Sequence, residues 1–142
     1  MWADSLQTLE QQHDLELIIW GAASALIGGV ILLGFRLARI RAPLATHFAA
    51  QCLVWGAAAL AWGGLAYQDV PLRDYDSAAS LTRELWVTMA LEAGAIVLGA
   101  TFAVFGWAFG RRIGAVGSGI GVVVQAGALL YLFLTFARGI HL

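Results

Sequence analysis

Two carboxyl side chains and two amides lie within or at the edge of otherwise apolar stretches of this chain: Glu16, Gln51, Glu92 and Gln125. Glu92 is the most informative. The apolar stretch around it begins at Leu85, so at about 1.5 Å per helical residue the carboxyl group sits roughly 10 Å inside a helix. An ionised carboxylate there is expensive, so the group is expected to carry a proton, or to face the interior of a bundle, a water-filled cavity or a partner. Thr88, Ala95, Gly99 and Ala103 share its helical face at spacings of three and four. Such a carboxyl could carry a proton or a substrate; as packing glue it would donate one hydrogen bond to a neighbouring helix. Gln125 falls near the middle of a later run, on a stripe with Gly114, Ser118, Gly121 and Ala128. Small residues there let two backbones approach closely, and Glu92 with Gln125 is the expected interhelical pair. Glu16 follows His13 and Asp14 at the start of the first run, where it is expected to snorkel near the positive end of the helix dipole.

A second constellation is His47, Gln51, Trp55, Ala58 and Trp62, all on one helical face. That face could line a pocket for a small molecule or a quinone, or it could be tryptophan-mediated packing. His47 is the sole histidine within the apolar runs, which excludes a bis-histidine haem inside one chain. His13 with Glu10 and Glu16 forms a loose set of nitrogen and oxygen donors, but its spacing matches no closed zinc motif, and solvated charge is the expected role. No metal or other cofactor is expected. No P-loop, dinucleotide glycine fingerprint, nucleophile elbow or His-Glu-x-x-His sequence occurs, so an enzyme of those classes is not expected.

The elements that must position these residues follow from composition. Of 142 residues 61% are hydrophobic and 12% charged, with a mean hydropathy of +0.80, far from the balance of a water-soluble domain. Four apolar runs, at residues 15–35, 44–67, 85–109 and 113–137, each approach or exceed the roughly 20 residues that span a hydrocarbon core. The expectation is one all-α membrane domain, a four-helix transmembrane bundle of antiparallel up-down topology, with 68–84 as its longest connection. Residues 5–13 could form a separate, brief amphipathic helix in the interface. Cys52 is the only cysteine, so no disulfide can form within the chain. A net charge of −1 and the lack of any basic surface segment argue against nucleic acid as a partner.

Every basic side chain is an arginine. Arg36, Arg39 and Arg41 fall between the first two runs and Arg111 and Arg112 between the last two, so loops 36–43 and 110–113 are expected to face the cytoplasm and both termini the outside. The Ala/Gly-rich, lysine-free composition suits a bacterial cytoplasmic membrane.

Two internal similarities stand out. Trp20-Gly-Ala-Ala-Ser-Ala-Leu-Ile-Gly-Gly29 is echoed by Trp55-Gly-Ala-Ala-Ala-Leu-Ala-Trp-Gly-Gly64, and Glu16, Gln51, Glu92 and Gln125 alternate along the four runs. The second pattern would fit a duplicated two-helix hairpin; for the first, shared Ala/Gly composition is the stronger explanation.

From Leu91-Glu-Ala-Gly-Ala-Ile-Val-Leu-Gly99 through Val124-Gln-Ala-Gly-Ala-Leu-Leu-Tyr-Leu-Phe133 the chain resembles an uncharacterised family of small four-helix bacterial membrane proteins. The resemblance implies the fold and no activity. The functional expectation is a structural, accessory or self-associating membrane subunit, embedded in lipid as a homo-oligomer or part of a larger complex. The alternative is a small transporter or proton-coupled permease working through Glu92.

Overall fold

The computed structural model describes residues 2–140. They form four helices, α1 (Trp2–Leu37), α2 (Pro43–Gln68), α3 (Tyr75–Ala108) and α4 (Ile113–Gly139), all long and apolar enough to cross a membrane. Consecutive helices are antiparallel, and the chain is an all-α multi-pass membrane protein.

Local sequence explains where each helix starts and stops. Pro43 opens α2, where its missing N–H costs nothing. Asp74 caps α3 by accepting from the Ser77 backbone N–H at 2.9 Å, and the Ser77 contacts hold its carboxyl below the usual aspartate range. Gly110, at φ +85°, stops α3 with a conformation that costs glycine little. The Arg112 N–H then closes the turn on the Gly106 carbonyl at 2.7 Å.

Two boundaries differ from the sequence reading. Residues 5–13 are not a separate interfacial helix; they are the first turns of α1, because no Gly or Pro interrupts the chain before Leu15 and extending a helix is cheaper than nucleating another. Likewise 75–84, read as loop, is already helix, since the Asp74 cap starts α3 that early. At 36 residues α1 rises about 54 Å against a hydrocarbon core of about 30 Å. The surplus falls at the end carrying Asp4, Glu10 and Asp14, here termed the acidic end; loops 38–42 and 109–112 make the arginine end.

Close approach is achieved through glycine. Gly21 and Gly28 of α1 lie against the backbone of α2, and Gly56 and Gly63 of α2 against α1. These are the corresponding glycines of the Trp20 and Trp55 echo, so that similarity maps onto one shared contact. Gly114, Gly117 and Gly121 of α4 receive His47, Leu44 and Gln51 of α2, while Gly119 meets Gly99 of α3. Helix α4 thus adjoins all three others, and α1 adjoins α2. Among the described residues α3 has one close helix neighbour, α4. The two hairpins are therefore not equivalent in place: α1 reaches α4, whereas α3 does not reach α2.

Candidate functional site

The missing α2–α3 contact is a cavity. At the acidic end residues of α2 and α3, which make no close backbone contact, line a space of about 310 Å³ together with α1 and α4. Its floor is α1, where Glu10, His13, Asp14 and Leu17 recur at three and four residues on one face. Trp62 and Ala66 supply the α2 wall, and Leu81, Glu84, Leu85 and Thr88 the α3 wall. Phe133 and Phe136 of α4 close the back, and the connection contributes Asp69 and Arg73.

The connection is fixed to α1 by two bonds. Arg73 Nε donates to Glu10 Oε1 at 2.6 Å, and Gln7 Nε2 donates to the Val70 carbonyl at 2.9 Å. Glu10 is thereby neutralised although buried. His13 is 6% exposed, its ring stacked on Phe136 at 4.5 Å between centroids and tilted to Phe133 at 5.0 Å. Both of its nitrogens are buried without a hydrogen-bond partner, a costly state for a polar ring. Asp14, beside it, is also buried.

The intramembrane polar residues are distributed differently from the expected pairing. Gln125 is 1% exposed, and its Oε1 accepts from the Trp20 indole N–H at 3.2 Å. The Ser24 hydroxyl lies 3.3 Å from that oxygen and 3.2 Å from Nε2. Its partners therefore belong to α1, and no hydrogen bond joins it to Glu92. Glu92 lies on the buried row of α3 that also holds Leu85, Gly99 and Gly106 at intervals of seven, and its Oε2 is buried with no hydrogen-bond partner. Gln51 packs over Gly121. Glu16 accepts a long bond from Gln12 at 3.5 Å, beside a smaller groove with Leu9 and Thr135.

The His47 face divides. His47 sits over Gly114 with Nδ1 3.4 Å from the Ser118 hydroxyl, and Trp55 packs on the core of Leu17, Ala59 and Leu129. Trp62, 70% exposed, instead stands at the cavity mouth. The described residues bring no three His, Cys, Asp or Glu side chains together as a metal site.

Sequence reasoning missed Asp14, Arg73, Trp20 and Ser24. A signal existed: Leu6, Glu10, His13, Leu17, Trp20 and Ser24 continue one face of α1 at steps of three and four, which places the polar members on the buried row.

No family model matches the chain, and neither a curated protein nor a solved structure does. The resemblance drawn from the Glu92 and Gln125 segments thus reduces to four long apolar helices.

Proposed function

We propose that the chain is a non-enzymatic membrane subunit that associates with a second copy of itself through α3. The observation that supports this is an uncovered stripe of mostly small residues. Ala90, Gly94, Val97 and Thr101 follow one another at steps of four, three and four on the flank of α3 away from α4, and all are exposed. A Cβ on Gly94 would meet nothing within 4 Å. Helices in lipid associate through such small-residue surfaces because apolar burial no longer drives them together. The arginine end is assigned to the cytoplasm by its charge, and the lysine-free composition supports a bacterial cytoplasmic membrane.

Mass measurement in mild detergent tests the reading. Wild type should run as an oligomer of one chain, and Gly94→Leu as a monomer of unchanged thermal stability, since the added side chain meets nothing within the protomer. A monomeric wild type, an oligomer that survives Gly94→Leu, or a complex dominated by other subunits would overturn it.

Glu92 supports a second reading, a small proton-coupled permease, because a buried carboxyl oxygen without a partner is an unusual tenant of a membrane helix. Its test is proton flux into proteoliposomes. Wild type should show flux and Glu92→Gln none, as an amide cannot release the proton; equal flux in the two, or none in wild type, would remove the reading.

A further inference from the structure

The cavity between α2 and α3 has a chemistry that neither self-association nor Glu92 uses. We propose that it binds a small protonated amine with an aromatic or alkyl body.

Size comes first. A space of about 310 Å³ equals roughly ten water volumes, enough for an amine of about that many heavy atoms. Charge comes second. Among the described residues Arg73 is the only Arg lining the cavity and is held by Glu10, while Asp14, Asp69 and Glu84 also line it. The surplus is negative, which disfavours an anion. The remaining walls are Leu17, Leu85, Trp62, Phe133 and Phe136, so a bare inorganic cation would leave most of the surface unused, whereas aromatic faces suit both an organic body and its ammonium.

His13 supplies the independent sign of a ligand. It is more than nine-tenths buried, lines the cavity and has two unpartnered ring nitrogens. An imidazole nitrogen that carries no proton is an acceptor; both ring nitrogens are covered by neighbouring protein atoms, so an ammonium N–H reaches one only after a turn of the His13 ring. Asp14, next along α1, places a carboxylate within the same group. The cavity is lined by α2 and α3, which make no close backbone contact, and Trp62 in its wall is exposed. A ligand can therefore lie with its ammonium among the acidic residues and its body along the apolar walls.

The test uses the full chain in mild detergent and equilibrium dialysis of 2-phenylethylammonium against 2-phenylethanol, a neutral molecule of similar shape. The ammonium should bind saturably and at least about tenfold more tightly than the alcohol, the scale of a charge-assisted hydrogen bond. Asp14→Asn should abolish that preference. Thr88→Trp, which fills the α3 side without altering charge, should weaken binding about tenfold and decides the matter if Asp14→Asn fails to fold. Glu16→Gln, outside the cavity, should bind like wild type. Equal affinity for amine and alcohol, or wild-type binding in both cavity variants, would overturn the proposal.

Discussion

Gly21 and Gly56 stand against each other reciprocally. A Cβ on Gly56 would lie 2.8 Å from the Gly21 carbonyl oxygen and 2.5 Å from the Ala25 amide nitrogen; a Cβ on Gly21 would lie 2.7 Å from the Gly56 carbonyl oxygen and against the Leu60 amide. The same relation recurs between Gly99 and Gly119, each facing the other's carbonyl at 2.9 and 2.5 Å. Each hairpin thus holds one such reciprocal glycine pair, and the α1–α2 seam adds backbone contacts at Gly28 and Gly63.

Adding a methyl group at either partner should force the helices apart. Gly21→Ala and Gly56→Ala are expected to cost about 1–3 kcal/mol each, the range for overpacking. Gly64→Ala, where the new Cβ meets nothing within 4 Å, should be neutral or stabilise by up to about 1 kcal/mol through helix propensity. Unfolding in mixed detergent compares the three; equal stability of Gly56→Ala and Gly64→Ala would show that the contact is loose.

Gln125 ties α4 to α1 through Trp20 and Ser24. Gln125→Leu keeps most of the volume and removes the bonds, and is expected to cost about 1–2 kcal/mol, near the upper end for interhelical hydrogen bonds in membranes. Trp20→Phe should cost less by the same assay, because Ser24 still satisfies the amide. A larger effect from Trp20→Phe would place the weight on the indole's packing.

His13→Phe retains the stacked ring and removes two unsatisfied nitrogens. Its expected effect is a stability gain of about 1 kcal/mol, read as a raised thermal midpoint, together with weaker amine binding. A lowered midpoint would mean that the imidazole finds bonds in the native protein.

Acid should loosen the first turn of α3. Hydrogen bonds from Ser77 lower the Asp74 carboxyl's pKa, so the cap's contribution is complete above the ordinary aspartate value and disappears as pH falls through the lowered one. Hydrogen exchange over residues 75–81, corrected for intrinsic rates, should quicken across that window. Asp74→Ala should show the quicker exchange already at neutral pH and no further acid step.

Orientation is checked by labelling single cysteines on a Cys52→Ala background. Cysteines at Ala42 or Ala115 should resist an impermeant reagent added outside, and one at Ser77 should react. The reverse pattern would put the cavity on the cytoplasmic side.

Much of the architecture was legible because it rests on local pattern. Four apolar runs gave four helices; the Trp20 and Trp55 echo was visible only as a similarity of composition, and the structure puts its glycines in the α1–α2 seam. Partner choice was not legible. Gln125 bonds α1 rather than Glu92 because hydrogen bonding depends on which helices become neighbours, and no periodicity within one helix encodes that. The cavity was hidden for a related reason: sequential helices joined by a short connection ordinarily pack together, and α2 and α3 do not. Glu10, His13 and Glu16 read as solvated charge beside the apolar run, yet the spacing of Glu10 and His13 continues the buried row of α1.

The position of α3 bears on how the chain assembles during synthesis. Helices inserted in order from the N-terminus leave α1 and α2 able to join at once through their glycines. When α3 follows, the hydrogen bonds that tether it among the described residues are Arg73–Glu10 and Gln7–Val70, in the connection just before it, and its membrane portion has no close helix neighbour until α4 arrives. Arrival of α4 supplies every missing interface together, through Gly119 toward α3, Gly117 and Gly121 toward α2, and Gln125 toward α1. Synthesis halted before Ile113 would therefore leave a joined pair and a loose third helix, and the last segment made is the one that turns the set into a single body.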